Sequence, residues 1–321
     1  MSPSAKDGDP SSRPPELADR IRAGDLRAVA RLLRLVDDAR PAGLQALRSL
    51  YAGSPPGKIV GVTGSPGAGK STLIDRVVAA YRALDEKVGV VAVDPTSPLT
   101  GGAILGDRVR MQRHALDPNV FVRSLASRGQ LGGLSLSAAS TVAVFEASGF
   151  SRIIVETVGI GQAEVDIAAV ADTTVVVLAP GFGDDVQALK AGLLEVADVF
   201  AVNKSDRPGA SDIVRDIEHV LRLRGPVDGW MPSVVQTSAE QGTGIDDLTA
   251  AVREHRAHLE SQGGLQARRQ ARARIEIETR LMAQLRAELM ARVGEGALDD
   301  AASAVASRAL HATQAVDDLL G

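Results

Sequence analysis

Gly64-Ser65-Pro66-Gly67-Ala68-Gly69-Lys70-Ser71 has the G-x-x-x-x-G-K-[ST] spacing of a phosphate-binding loop. Its glycines let the backbone turn sharply and aim successive N–H groups at one anion. A helix that starts directly afterwards adds unpaired N–H groups and a positive dipole end. In this spacing Lys70 reaches the β- and γ-phosphates and the Ser71 hydroxyl binds Mg²⁺, with Thr72 next in the first turn. The bland alternative is a glycine-rich turn without a ligand. The flanks weigh against it, because 59–63 reads as a short buried strand and 72–84 as a helix with Leu73, Val77, Ala80, Tyr81 and Leu84 at helical spacing.

A second constellation is Asn203-Lys204-Ser205-Asp206, N-K-x-D, at the end of a predicted strand over 198–202. Guanine presents N1–H and N2–H₂ as adjacent donors, and the Asp206 carboxylate can accept both. Adenine would leave that carboxylate unsatisfied, so a site of this kind discriminates strongly. The Lys204 stem can lie over the purine, and Asn203 can bond the base edge and the phosphate loop. Downstream, Ser238-Ala239 follows a predicted strand over 233–236 and matches an S-A element whose backbone N–H meets guanine O6. GTP is therefore expected over ATP.

Carboxylates at other strand ends complete the chemistry. Asp94 closes the strand over 88–93 and is placed to face the phosphate site; its alternative role is a turn before Pro95. Asp107 ends a glycine-rich stretch and is either a Mg²⁺ ligand or a helix N-cap. Glu156-Thr157-Val158-Gly159 occupies the place of the D-x-x-G element of G proteins, with Glu for Asp. Glu156 can hold Mg²⁺ or orient the attacking water, and the Gly159 N–H can meet the γ-phosphate. Lys190, beyond the loop 180–185, either supplies positive charge to the transition state or is a solvated helix lysine.

The elements that must position these groups alternate between 58 and about 260. Near-continuous Val/Ile/Ala/Leu runs at 59–63, 88–93, 119–123, 152–156, 173–179, 198–202 and 233–236 read as strands covered on both faces, with helical stretches between most of them. This predicts an α/β fold, a doubly wound and mostly parallel sheet with its ligand at the carboxyl ends of the strands. Residues 1–14 read as disordered, and 15–57 as a helical extension and linker with a break near Gly24 and a helix opened by Pro41. Residues 261–321 read as a C-terminal helical region. A long helix over 265–293 carries the stripe Ile275, Met282, Leu285, Leu289 and Val293, and a further helix over 298–320 follows. That stripe suggests a homodimer. His255 and His258 lie three apart on a helix without an acidic or cysteine partner, which favours a solvated helix face over a metal site. Trp230 reads as loop packing.

Bulk properties exclude several classes. The net charge of −4 with no basic block gives nucleic acid no footprint. No apolar run reaches the roughly 18 residues that span a membrane. The absence of cysteine removes disulfides and thiolate chemistry and fits a cytoplasmic protein.

The chain resembles the methylmalonyl-CoA mutase-associated G proteins, the MeaB/ArgK family, from about residue 17 to 295. The resemblance rests on the loop at 64–71, VAVDPTSP at 91–98, GGAILGDRVRM at 101–111, RGQLGGL at 128–134, ETVGIGQ at 156–162, GDD at 183–185 with Lys190, and NKSD at 203–206. It implies a Mg²⁺-dependent GTPase that acts as a chaperone. Such a protein gates cofactor loading of an adenosylcobalamin-dependent acyl-CoA mutase and protects or reactivates it. It further implies that Asp94, Asp107 and Glu156 belong to the Mg²⁺ and switch network and that the C-terminal helices carry the dimer. Rival readings are a metallochaperone GTPase, a regulator of transport and a nucleotide-gated scaffold. The stretch 123–129 and residues 294–321 depart from the family pattern.

Overall fold

The computed structural model describes residues 14–95, 111–114, 116–127, 136–157, 167–181 and 192–320. The chain divides into two compact units, Met1–Arg272 and Ala273–Gly321.

The first unit is built on seven strands, β1 (Lys58–Gly64), β2 (Val88–Pro95), β3 (Val120–Ser127), β4 (Arg152–Thr157), β5 (Thr173–Leu178), β6 (Val199–Val202) and β7 (Ser233–Gln236). Every pairing is parallel, in the order β3-β2-β4-β1-β5-β6-β7. Strand β1 is thus central, with β4 and β5 beside it. Strands β4 and β5 are buried along their whole length, which is why they read as unbroken apolar runs rather than as alternation.

Helices cover both faces. On one side, α1 (Pro14–Arg22), α2 (Leu26–Asp37) and α3 (Pro41–Tyr51) share a core with α5 (Leu136–Ala147) and with Ile59, Val91, Ile153 and Val155 of the sheet. Asp25 caps α2 by accepting from the Arg27 and Ala28 N–H groups, and Pro41 opens α3. On the other side, α4 (Lys70–Ala83) and α7 (Ile245–Ser261) pack Leu73, Ile74, Tyr81, Leu248 and Val252 against Val60, Val62 and Val175. Helix α6 (Ala210–Arg224) covers β5 and β6 through Ile217 and Leu221.

Helix α8 (Gly264–Val293) begins in the first unit, where its arginines reach the amino ends of the strands. Arg268 makes a two-pronged contact with the Asp198 carboxylate at 2.8 Å for each bond. Asp172, buried ahead of β5, accepts from Arg256 at 2.9 Å and from Arg269 at 3.2 Å. In the second unit α9 (Glu295–Ala306) and α10 (Ala312–Leu320) follow. The single helix expected over 298–320 is therefore two, broken around Arg308, whose φ is +61°.

His255 also departs from expectation. It is fully buried rather than on a solvated face. Its Nδ1 lies 2.9 Å from Thr173 Oγ1, its Nε2 lies 3.2 Å from Asp198 Oδ1, and Trp230 packs on its ring with centroids 5.0 Å apart. Burial pushes its pKa down from 6.5 to about 4 against the opposing pull of Asp198. The folded pKa is thus below the unfolded one, so the unfolded chain takes up the proton first. This group's contribution to stability is complete above pH 6.5 and is lost as pH falls towards 4, by about 3 kcal/mol. Urea unfolding of wild type and His255→Gln across that window checks it. The difference in stability between the two proteins should shift with pH there and be flat above pH 7.

Candidate nucleotide-binding site

The described loop residues lie where β1 ends and α4 begins. Gly64 has φ +133°, and a Cβ there would stand 2.0 Å from the Val177 carbonyl oxygen of the neighbouring strand. Gly69 has φ +88°, and a Cβ there would stand 2.6 Å from Asn203 Nδ2. Both positions demand glycine, the first for close approach to β5 and the second for close approach to the N-K-x-D segment. Ala68, Lys70 and Ser71 are buried beneath the loop, whereas Pro66, Gly67 and Thr72 are exposed.

Lys70 Nζ donates to the carbonyls of Gly64 at 2.8 Å and Ser65 at 3.1 Å, so the ammonium is held over the loop. Ser71 Oγ donates to Glu156 Oε1 at 2.7 Å, and both residues are buried. This pairing joins the first turn of α4 to the carboxyl end of β4. Mg²⁺ is a hard cation that takes oxygen ligands, and a hydroxyl and a carboxylate converging in this way are the donor type that suits it. Beside them, Thr157 Oγ1 donates to Thr63 Oγ1 at 2.9 Å across the β4 and β1 ends.

The N-K-x-D segment sits at the end of β6, next to the loop. Asn203 is buried and bridges two walls: its Nδ2 donates to the Ala68 carbonyl at 2.8 Å, and its Oδ1 accepts from the Ala239 N–H at 3.1 Å. Lys204 has φ +55° and its Nζ donates to the Gly67 carbonyl at 2.7 Å, so its stem runs from the N-K-x-D segment to the loop. Asp206 is exposed and accepts from Ser238 Oγ at 2.6 Å. That hydroxyl, followed by a backbone hydrogen bond, holds its carboxyl below the usual range, so it is an anion at neutral pH.

The structure therefore brings together the loop 64–72, Glu156, Asn203, Lys204, Asp206, Ser238 and Ala239. The backbone of Asp94 stands at the end of β2, two strands from β1. Asp107, Gly159 and Lys190 lie outside the described residues, as do most of the glycine-rich stretches around them. Two supports went unread in the sequence. Arg76 of α4 donates to the carbonyls of Ala239 at 2.9 Å and Glu240 at 3.0 Å, fixing the S-A segment. Asp75, also on α4, is met by Arg113 at 3.0 Å and His114 at 3.3 Å, which anchors the segment after 110. A charged pair one turn past Lys70 on a helix that also carries the core stripe was the available signal.

A family model described as methylmalonyl Co-A mutase-associated GTPase MeaB matches residues 29–294. The chain belongs to this family. It is 37% identical to the GTPase ArgK of Escherichia coli over 263 residues, 78% of each chain. It is 44% identical over 308 residues, 95% of each chain, to a Pyrococcus abyssi protein whose provisional name is GTPase. Among solved structures it is similar to a LAO/AO transport system kinase, with a TM-score of 0.71 and 27% identity over 98% of both chains. The MeaB-family chain is a P-loop GTPase that uses GTP, GDP and Mg²⁺. No described helix is long and apolar enough to cross a membrane.

Proposed function

We propose that this GTPase escorts an adenosylcobalamin-dependent acyl-CoA mutase, gating the loading of its cofactor and protecting or reactivating it. The observation that carries the proposal is the match of 29–294 to a family described by its association with methylmalonyl-CoA mutase. A mouse relative, 34% identical over 220 residues, is named a mitochondrial methylmalonic aciduria type A homolog, which is consistent with that client; the chain covers 53% of its length.

In this reading water attacks the γ-phosphorus, its oxygen bonds to phosphorus, and the bond to the β-bridging oxygen breaks to leave GDP. Lys70 and the N–H groups of 64–72 stabilise the charge on the phosphates. Ser71 and Glu156, already paired at 2.7 Å, hold Mg²⁺ together with Asp94 and Asp107. Either Glu156 or Asp94 orients the attacking water. The Gly159 N–H senses the γ-phosphate and Lys190 adds positive charge. Asn203, Lys204 and Asp206 read guanine with the backbone of Ser238 and Ala239. The second unit carries the homodimer contact: Ile275, Met282 and Leu285 of α8 are each about half exposed or more, a stripe that a second copy would cover.

The test is GTP hydrolysis by the full chain with and without a cobalamin-dependent mutase of the same organism. Turnover that rises several-fold with the mutase supports the escort. Turnover that ignores it removes this client. The name of the transport-system relative favours a second reading, regulation of transport by nucleotide state, and that reading gains if the mutase has no effect.

A further inference from the structure

The turn that carries Ser238 and Ala239 follows β7 and leads into α7. It is closed on itself: the Ser238 N–H donates to the Thr243 carbonyl at 3.1 Å, and the Gly242 N–H returns to the Ser238 carbonyl at 2.7 Å. The donor that meets the Ala239 and Glu240 carbonyls comes from far off in the chain. Arg76 supplies it, with Nε at 2.9 Å from the first and Nη2 at 3.0 Å from the second. Arg76 lies on α4, the helix whose first residues are Lys70 and Ser71.

A guanidinium is a planar fork of fixed spacing, so two bonds from one edge set the direction of approach as well as the distance. Ala239 is thereby held at both of its peptide groups. Its N–H donates to Asn203 Oδ1 at 3.1 Å and its carbonyl accepts from Arg76, while the residue itself is buried. The peptide unit is planar and trans. Because the carbonyls of 239 and 240 face Arg76, the N–H groups of Glu240 and Gln241 are turned the opposite way. The positive charge also polarises both peptide groups, which makes those N–H groups stronger donors.

We infer that Arg76 is a positioning residue for the base: it sets where this turn presents its backbone N–H groups, and so makes an oxygen at C6 of the purine a condition of tight binding. The inference rests on the reading given above, in which the backbone of Ser238 and Ala239 meets guanine O6. The labour is then divided. Asp206 reads N1–H and the 2-amino group, and Arg76 acts through the backbone on the 6-oxo group. Adenine carries an amino group at C6, so donor would face donor with a cation behind it. One helix serves both ends of the nucleotide, since α4 opens with Lys70 and Ser71 and grips the base turn through Arg76. A staple that only stabilised the fold would instead weaken every nucleotide alike.

The experiment measures, on the full chain with Mg²⁺, the affinities of GDP, 6-thio-GDP and IDP for wild type, Arg76→Gln and Arg76→Lys. 6-thio-GDP keeps N1–H and the amino group and replaces O6 with sulfur, a weak acceptor. IDP keeps O6 and N1–H and lacks the amino group. Wild type should bind each analogue about tenfold or more weakly than GDP. In Arg76→Gln, GDP should weaken about tenfold and the 6-thio penalty should shrink to about threefold or less, while the IDP penalty stays as in wild type. Each penalty is a ratio within one protein, so a partly unfolded variant returns the same ratio. Arg76→Lys keeps the stem and the charge without the fork and should fall between the two. If Arg76→Gln retains the full 6-thio penalty, or loses both penalties alike, the inference is overturned while the reading of O6 by the backbone stands. If wild type itself binds 6-thio-GDP as tightly as GDP, both are overturned.

Discussion

Replacing Lys70 with alanine should lower GTP turnover by about a thousandfold. The ammonium is held by two loop carbonyls at 2.8 and 3.1 Å in a setting where the residue is 7% exposed. Charge that needs no reorganisation and little hydration acts strongly on a developing anion. Methyl truncation removes it and leaves the loop carbonyls of Gly64 and Ser65 without that donor. Lys70→Arg should not restore the rate, because a planar fork does not fit where a single tetrahedral donor sits between two carbonyls. Single-turnover hydrolysis with saturating Mg²⁺ and GTP separates this from a binding defect. A loss of less than tenfold would mean that the phosphate charge is met elsewhere.

Asp206→Asn should exchange one base for another. The carboxylate is ionised and positioned by Ser238 Oγ at 2.6 Å. Guanine offers it two donors, and the variant amide would turn a donor of its own towards one of them. A site built for hydrogen bonding rejects such a mismatch by large factors, so GDP affinity should fall by about a thousandfold. Xanthine carries a carbonyl where guanine carries its amino group, which suits the new amide, and xanthosine diphosphate should become the preferred ligand. Ser238→Ala, which removes the hydroxyl but keeps the charge, should cost only about tenfold. Fluorescent GDP and XDP titrations read both variants. Retained GDP binding in Asp206→Asn with no gain for XDP would place base recognition outside the N-K-x-D segment.

What could be read from the amino-acid order follows physical lines. All seven strands were legible because a parallel strand buried on both faces is a short apolar run between turns, as Arg152–Thr157 and Thr173–Leu178 are. That the loop at 64–71 and the segment at 203–206 stand at one edge of the sheet was legible because each directly follows a strand of a parallel sheet and so lies at its carboxyl end. Interactions between distant segments were not. Nothing local says that His255 is sealed beneath Trp230 between Thr173 and Asp198, since its helix also carries solvated charges on the adjacent face. Nor does Arg76 announce that it reaches the carbonyls of Ala239 and Glu240, more than 160 positions away. The break between α9 and α10 was missed because alanine-rich sequence supports a helix on either side and Arg308 gives no compositional hint of a positive φ.

Asn203 spends its two amide ends on different walls, one on the Ala68 carbonyl and the other on the Ala239 N–H. A ligand that shifts either wall therefore tugs on the other through one rigid planar group. Fragments feel this most. Guanosine alone, or pyrophosphate alone, must settle its own half while the opposite half is still unset, whereas the intact nucleotide sets both at once. The affinities of the two halves should multiply to less than that of the whole, with the shortfall erased in Asn203→Ala. Wild-type protein would in that sense answer to complete nucleotides and stay nearly deaf to the pool of nucleosides and free phosphates around it.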